Sequence, residues 1–200
     1  MADPIRFYFD FSSPYGYLAT FRIEALAAAH GRTVDWNAHL LGVAMKITGQ
    51  GPLLNQPMRG AYATHDMTRM AREFGAPIVM PEVFPLHSVA ASRAFYWLKG
   101  KNPEQAVAFV HRIYQAYWAQ GRDMRAPEAV AAEADAMGLD GGALREALAT
   151  DDAKQRLREA VDQAIERGIF GSPMFDIDGE LFWGCDKFGQ MDRWLKNGGW

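Results

Sequence analysis

Strand-forming sequence is confined to the two ends of this 200-residue chain, and a long helical stretch separates them. At the N-terminal end, "IRFYFDF" (5–11) is a β-rich run bounded by Pro4 and Ser12, and "TVDWNAHLL" (33–41) alternates as a second strand. Between them Tyr17, Leu18, Phe21, Ile23, Leu26 and Ala27 recur at helical spacing from Pro14 and stop at His30-Gly31. Strand chemistry returns only at Met174–Ile177 and Leu181–Trp183, joined by Asp178-Gly179, a strong hairpin signal. A closing helix is expected over Phe188–Leu195. The order is therefore β-α-β, a helical block, then β-β-α.

The block between is different in kind. "TGQGPLLNQPMRG" (48–60) is rich in Gly and Pro and is expected to be a loop. Helices are expected over Tyr62–Phe74, Ser88–Gly100, Pro103–Gly121, Pro127–Met137, Asp140–Ala149 and Asp152–Arg167. Asp140 and Asp151 or Asp152 are the expected caps, and Gly138 and Gly168 lie just past helix ends. Leu157, Val161 and Ile165 form a stripe at four-residue spacing. The division that follows is a discontinuous domain of residues 1–45 and 166–200, with an inserted helical domain at 46–165.

Composition narrows the function classes. With 49% hydrophobic and 22% charged residues the chain reads as an ordinary soluble globular protein. A net charge of -3 gives no electrostatic footprint for nucleic acid. No apolar run reaches the ~20 residues of a membrane-spanning helix. "MADPIRFYFD" enters a strand without a basic n-region or a long apolar h-region, so no signal peptide and a cytoplasmic location are expected. The single cysteine, Cys185, rules out an internal disulfide. The five histidines show no ligand spacing, and no metal site is expected. There is no G-x-S-x-G elbow, and Gly49-x-Gly51 lacks the lysine or Rossmann context of a phosphate cradle.

The most informative stretch is "FDFSSPYGYL", where strand gives way to helix. Ser13 is placed as an N-cap and Pro14 as the first helical residue, where a missing N–H costs nothing. The element order is that of an α/β thioredoxin-like fold (β-α-β … β-β-α) with an all-helical domain inserted between its halves. In such folds Ser13-Pro14-Tyr15-Gly16 occupies the place of the Cys-x-x-Cys redox pair. Ser172-Pro173 occupies the place of the cis-proline loop that faces it, although X-Pro bonds are cis in only about 5–6% of folded cases.

Carried by "FYFDFSSPYGYL", "TGQGP", "RGAY" with Asp66 and Arg69, "AYWAQGRDM", "FGSP" and "ELFWGCDKF", the chain resembles the 2-hydroxychromene-2-carboxylate isomerases. These are glutathione-dependent enzymes of aromatic degradation, related to kappa-class glutathione transferases. The matches run in order over nearly the whole chain. The resemblance implies glutathione as cofactor, an aromatic acid as small-molecule substrate, and a homodimer.

The resemblance assigns Ser13 to the glutathione sulfur. A free thiol with a pKa of about 8.5 is only about 3% ionised at pH 7, and lowering it by two units requires about 2.7 kcal/mol. A hydrogen bond to a charged group contributes about 1.5–3 kcal/mol, and a helix N-terminus up to about 2 kcal/mol. A capping serine could thus supply the shift without a base. Addition of the thiolate to a conjugated enone would make the double bond single, and rotation and elimination would release the trans isomer. The resemblance also implies that the backbone at Ser172 beside Pro173 pairs with the glutathione backbone, so that the Ser172 side chain matters little. It places Cys185 and Asp186 at the γ-glutamyl end, and Gln50, Asn55 and Arg59 in a ligand-contacting loop.

Several residues depart from the family pattern. Lys187 stands where Arg is usual, Cys185 where Asn or Ser is, Arg59 where Lys is, His87 where Asn is common, and Met70 where Trp is frequent. Tyr114, Tyr117 and Trp118 read as helical core, with lining of an aromatic pocket as the alternative. Two further functions fit the pattern: a kappa-like transferase or peroxidase acting on other electrophiles, and a non-catalytic binding or chaperone-like protein without redox cysteines.

Overall fold

The computed structural model describes residues 3–200. Four short strands form one mixed sheet in the order β2-β1-β3-β4, where β1 is Ile5–Phe9, β2 Val34–Ala38, β3 Met174–Ile177 and β4 Glu180–Trp183. β1 runs parallel to β2 (Ile5 opposite Val34) and antiparallel to β3 (Tyr8 opposite Met174). β3 and β4 form the expected hairpin, with both turn residues at positive φ (Asp178 57°, Gly179 96°), the geometry that Asp-Gly favours. The Arg32 guanidinium grips the Asp178 carboxylate at 2.6 and 2.7 Å and holds its pKa below the ordinary value. The sheet and the helices around it have the thioredoxin-like order expected from the sequence.

Among the described residues ten α-helices accompany the sheet. α1 (Pro14–Ala19) and α2 (Ile23–Ala29) form the crossover from β1 to β2, and α3 (Leu41–Thr48) follows β2. The block continues as α4 (Arg59–Phe74), α5 (Val89–Lys99), α6 (Pro103–Tyr114), α7 (Pro127–Asp135), α8 (Gly141–Ala149) and α9 (Asp151–Glu166), and α10 (Phe188–Asn197) closes the chain.

The structure departs from the sequence expectations in several places. The first helix is broken at residues 20–22, where the Thr20 hydroxyl donates back to the Tyr17 carbonyl at 2.7 Å. There Phe21 and Arg22 also bond three residues back, which tightens the helix and stops it. β1 and β2 end earlier than expected, because Asp10 leaves the ladder and Leu41 begins a helix. The 48–60 segment, expected to be a loop, contains the 3-10 turn Leu53–Asn55, and α4 already begins within it at Arg59, before the expected start at Tyr62. α6 passes at Gln115–Ala119 into a π-type turn instead of running straight to Gly121. Thr150, not Asp151 or Asp152, caps α9, while Asp140 caps α8 as expected. Ser172-Pro173 is cis as expected, and Phe84-Pro85 is cis as well.

The strand alternation sorts side chains to two faces. Ile5, Phe7 and Phe9 join Trp36, Phe95, Phe109, Tyr114 and Trp118 in one continuous core between sheet and helical block. Phe7 stacks on Phe175 at 5.3 Å, and Phe9 meets Phe95 edge-on at 5.4 Å. Full burial of each such ring contributes about 1.5–3 kcal/mol, so this aromatic seam is what fixes the helical block against the sheet. Tyr8 and Met174 point the other way and pack with Ala164 and Ile169 at the end of α9.

Candidate active site

Strand direction alone gathers the candidate residues. The C-terminal ends of β1, β2 and β4 and the N-terminal end of β3 lie together, since β3 is antiparallel to β1 and β4. The turn holding Ser13, the start of α3, the Ser172-Pro173 loop and the Gly184–Asp186 loop therefore share one edge of the sheet. Gly184 ties the last two together by donating to the Pro173 carbonyl at 3.1 Å.

Ser13 sits at the floor of this edge, 4% exposed. Its hydroxyl oxygen accepts the Gly16 N–H at 3.0 Å, the expected cap, and its single proton goes to the Ser172 carbonyl at 2.7 Å. α1 is only six residues long, so its field at Ser13 is weaker than that of the long helix expected from the sequence. More of any stabilisation of an anion here falls to the hydroxyl itself.

The turn is clamped from several sides, and sequence reasoning missed most of the clamps. The buried Asp10 carboxylate accepts Ser12 N–H at 2.8 Å and Leu41 N–H at 2.7 Å. It thereby caps α3, whose own N-cap, Leu40, offers no side-chain acceptor. The Asp10 N–H donates to Ser172 Oγ at 2.9 Å, so the Ser172 side chain is a structural partner of the turn, contrary to expectation. Tyr114 donates its hydroxyl to the Asp10 carbonyl at 2.9 Å, and Trp118 its indole N–H to the Phe11 carbonyl at 3.0 Å. These two residues are core, as read from the sequence, but their polar ends hold the Ser13 turn. Gly16 is required by the crowding: a Cβ there would stand 2.7 Å from the Tyr114 hydroxyl and 2.8 Å from Ser172 Oγ.

His39, read as an unremarkable strand position, is also part of the clamp. It is fully buried, with Nε2 at 2.8 Å from the Gly171 carbonyl. A carbonyl only accepts, so Nε2 carries the proton, and Nδ1 has no partner among the described residues. Burial lowers the His39 pKa, opposed in part by the nearby Asp10 charge, and holds the ring neutral. The alternation "DWNAHLL" hid this role, because a buried strand histidine gives no spacing signal.

Of the remaining candidates, Arg59 shares a cleft with Tyr15. Gln50 and Asn55 are exposed on the segment linking α3 to α4, and Arg59 is exposed at the start of α4. Arg59 reaches only Gln56 Oε1, at 3.3 Å, and meets no carboxylate among the described residues. A cleft of about 420 Å³ is bounded by Tyr15, Leu53, Met58, Arg59, Tyr62 and Ala63. At its mouth Met58 is 92% exposed and held at φ 63°, a strained conformation for a non-glycine residue. Tyr15, two residues past Ser13, donates to Asp66 Oδ2 at 2.9 Å, and Arg69 pairs with the other oxygen of the same carboxylate. Burial and the Asp66 hydrogen bond push the Tyr15 phenol well above its ordinary pKa.

Asp186 is exposed, with Lys187 Nζ 2.7 Å away. Cys185 is buried and directs its thiol at the Met70 sulfur, 3.6 Å away. Burial pushes that thiol up to about 12, so it stays protonated and unreactive at neutral pH. Two of the positions that depart from the family pattern are thus in contact, whereas His87 is exposed. Among the described residues no cluster of three metal-ligating side chains occurs, and no helix is long and apolar enough to cross a membrane.

Comparison with known proteins agrees with this fold. The family described as "DSBA-like thioredoxin domain" matches residues 4–196. The 2-hydroxychromene-2-carboxylate isomerase of Pseudomonas putida is 31% identical over 191 residues, covering 94% of this chain and 92% of that protein. A solved 2-hydroxychromene-2-carboxylate isomerase superposes with a TM-score of 0.86 at 30% identity, covering 96% of this chain and 94% of that one. Human glutathione S-transferase kappa 1 is 23% identical over 195 residues, 92% of this chain and 86% of the human protein. With this likeness from end to end, the chain belongs to the 2-hydroxychromene-2-carboxylate isomerase family of DSBA-like thioredoxin proteins.

Proposed function

We propose that the protein is a glutathione-dependent isomerase of the 2-hydroxychromene-2-carboxylate type, interconverting cis and trans forms of a conjugated aromatic acid. The observation that carries this is Ser13: a buried hydroxyl, rigidly held, facing the Ser172-Pro173 loop in a chain with a single cysteine. A dithiol reaction is impossible here, but a hydroxyl can stabilise a thiolate that a ligand brings.

The donor set suits glutathione. Ser13 offers a hydroxyl for the sulfur and Ser172 a carbonyl for a peptide N–H. Asp186 offers a carboxylate for the ammonium, and Arg59, without a carboxylate partner, a cation for a carboxylate. Gln50 and Asn55 add exposed amides, Pro173 keeps the Ser172 carbonyl facing Ser13, and Cys185 fills the space behind Asp186 as a neutral thiol. Glutathione, when bound, supplies a thiolate able to add reversibly to an enone, so that a double bond becomes single and can rotate.

Ser13 acts as a hydrogen-bond donor throughout and keeps its proton, while Asp10, Tyr114, Trp118 and His39 prevent the turn from yielding. The cleft beside Tyr15 and Tyr62 receives the aromatic electrophile. Net redox change is zero, in keeping with a site built on a hydroxyl.

A titration should show saturable glutathione binding, and no binding at millimolar ligand would remove the proposal. Cis–trans conversion of a hydroxybenzylidenepyruvate-type acid, measured against conjugation of a generic electrophile, then separates the isomerase from a kappa-like transferase. The likeness to glutathione S-transferase kappa 1 keeps the transferase as the second reading.

A further inference from the structure

The Ser13 hydroxyl has one proton, and the structure commits it to the Ser172 carbonyl at 2.7 Å. Its oxygen meanwhile accepts the Gly16 N–H at 3.0 Å, so the hydroxyl oxygen is anchored and only the O–H bond is free to turn. A proton cannot serve the carbonyl and a thiolate at the same time. Turning it toward a sulfur deprives the Ser172 carbonyl of its donor in a buried setting, and such an orphaned acceptor is costly. No other donor reaches that carbonyl among the described residues. The nearest candidates are already engaged: Asp10 N–H with Ser172 Oγ, Tyr114 with the Asp10 carbonyl, and His39 with the Gly171 carbonyl.

We infer that Ser13 and Ser172 form a ligand-released proton latch, in which an N–H of the incoming thiol replaces Ser13 on the Ser172 carbonyl and frees the Ser13 hydroxyl to donate to the sulfur. This rests on the proposed glutathione reading and deepens it, because it states what the thiol must carry. Sulfur alone is not enough; an amide N–H must lie within reach of Ser172 when the sulfur lies within reach of Ser13. A thiol attached to a peptide backbone meets that condition, and a simple alkanethiol does not. The Ser13 proton remains on Ser13, and the proton lost by the thiol leaves to solvent.

The latch makes an unusual demand on one variant. In Ser13→Ala the Ser172 carbonyl is already free, so a ligand that supplies the N–H no longer has to displace a hydroxyl. Calorimetric titration of wild type and Ser13→Ala with glutathione and with S-methylglutathione tests this. Above the pH at which the bound thiol ionises, glutathione should bind Ser13→Ala more weakly, because the bond to the thiolate is gone. S-methylglutathione cannot form a thiolate, and it should bind Ser13→Ala more tightly than wild type by roughly twofold to tenfold, the range of one net hydrogen bond. Opposite signs for the two ligands support the latch. Equal or weaker binding of S-methylglutathione to the variant overturns it, while the glutathione reading stands on wild-type binding. If neither ligand binds wild type, the functional reading falls and the latch with it. Ser13→Gly, which costs only a few tenths of a kcal/mol at a cap, repeats the comparison should the alanine variant fold poorly by circular dichroism.

Discussion

Asp10→Asn is the sharpest test of the clamp around Ser13. Each Asp10 carboxylate oxygen serves a different backbone N–H, Ser12 at 2.8 Å and Leu41 at 2.7 Å. An asparagine is nearly isosteric but has one acceptor oxygen and an NH2 group. One N–H therefore keeps a neutral hydrogen bond, and the other faces a second donor. The lost bond is one to a charged acceptor, about 1.5–3 kcal/mol, and the abandoned N–H adds about 1–3 kcal/mol if buried. Ser12 and Leu41 are both half-buried, so water relieves part of this, and the net cost is about 3 kcal/mol. For a chain of this size that is a fall of roughly 6–12 °C in Tm. The loss should extend beyond stability, because Leu41 begins α3 and α3 leads into the segment bearing Gln50 and Asn55. Thermal and urea denaturation give the first quantity, and glutathione titration of the folded variant gives the second. An Asp10→Asn protein within about 0.5 kcal/mol of wild type, the ordinary scatter of surface substitutions, would falsify the clamp as described.

Other outcomes follow from the same geometry. Gly16→Ala should destabilise by about 1–3 kcal/mol despite the better helix propensity of alanine, because the new methyl collides with two pinned hydroxyls; a neutral or stabilising effect in denaturation would show that the turn can shift. His39→Leu removes the donor on the Gly171 carbonyl and should weaken glutathione binding, whereas His39→Gln, which can place an N–H there, should recover most of it. Because burial lowers the His39 pKa below 6.5, the unfolded chain binds the extra proton first. The stability contributed by the neutral ring is thus complete above about pH 6.5 and declines as pH falls through the folded value. Both variants should flatten that acid limb in Tm measured against pH, and an unchanged limb would assign it to other groups. Cys185 has the opposite sign: its folded pKa is raised to about 12 from 9.0, so its contribution is complete below pH 9 and is lost as pH rises toward 12. At pH 8 it should react with a disulfide reagent only on unfolding, and prompt labelling of the native protein would contradict its burial.

The element order and the Ser13–Ser172 confrontation were legible because their signals are local. Alternating strands, an Asp-Gly turn, a Ser-Pro helix start and a Ser-Pro loop each occupy a few consecutive residues. What escaped is whatever the chain supplies to itself from afar. α3 has a poor start in its own sequence, with Leu40 at the cap, and forms because Asp10 provides the acceptor from 31 residues away. His39 and Tyr114 looked like strand and core positions because half of each ring is packing, and only the tertiary fold shows what their polar atoms meet. The break at Thr20 and the π-type turn after Tyr114 are likewise small departures from regular spacing that periodicity averages away.

The same limit governs the residues read from the sequence as departures from the family pattern. Met70 and Cys185 lie 115 residues apart, at positions where the resemblance led to the expectation of a Trp and of an Asn or Ser. In the fold their sulfurs meet at 3.6 Å, so they are one local exchange. The flexible thioether fills space that a rigid indole would have claimed, and the thiol that it meets is a weak donor, content against a soft acceptor. Cys185 stands beside Asp186, and Met70 lies one helical turn along α4 from Asp66, the residue that holds the Tyr15 hydroxyl at the cleft. A change in the electrophile this chain accepts would therefore arise from the Met70–Cys185 contact more directly than from the exposed His87. Gly16, the turn and the latch leave no room to vary on the sulfur side, so the freedom to change substrate lies where packing is softest.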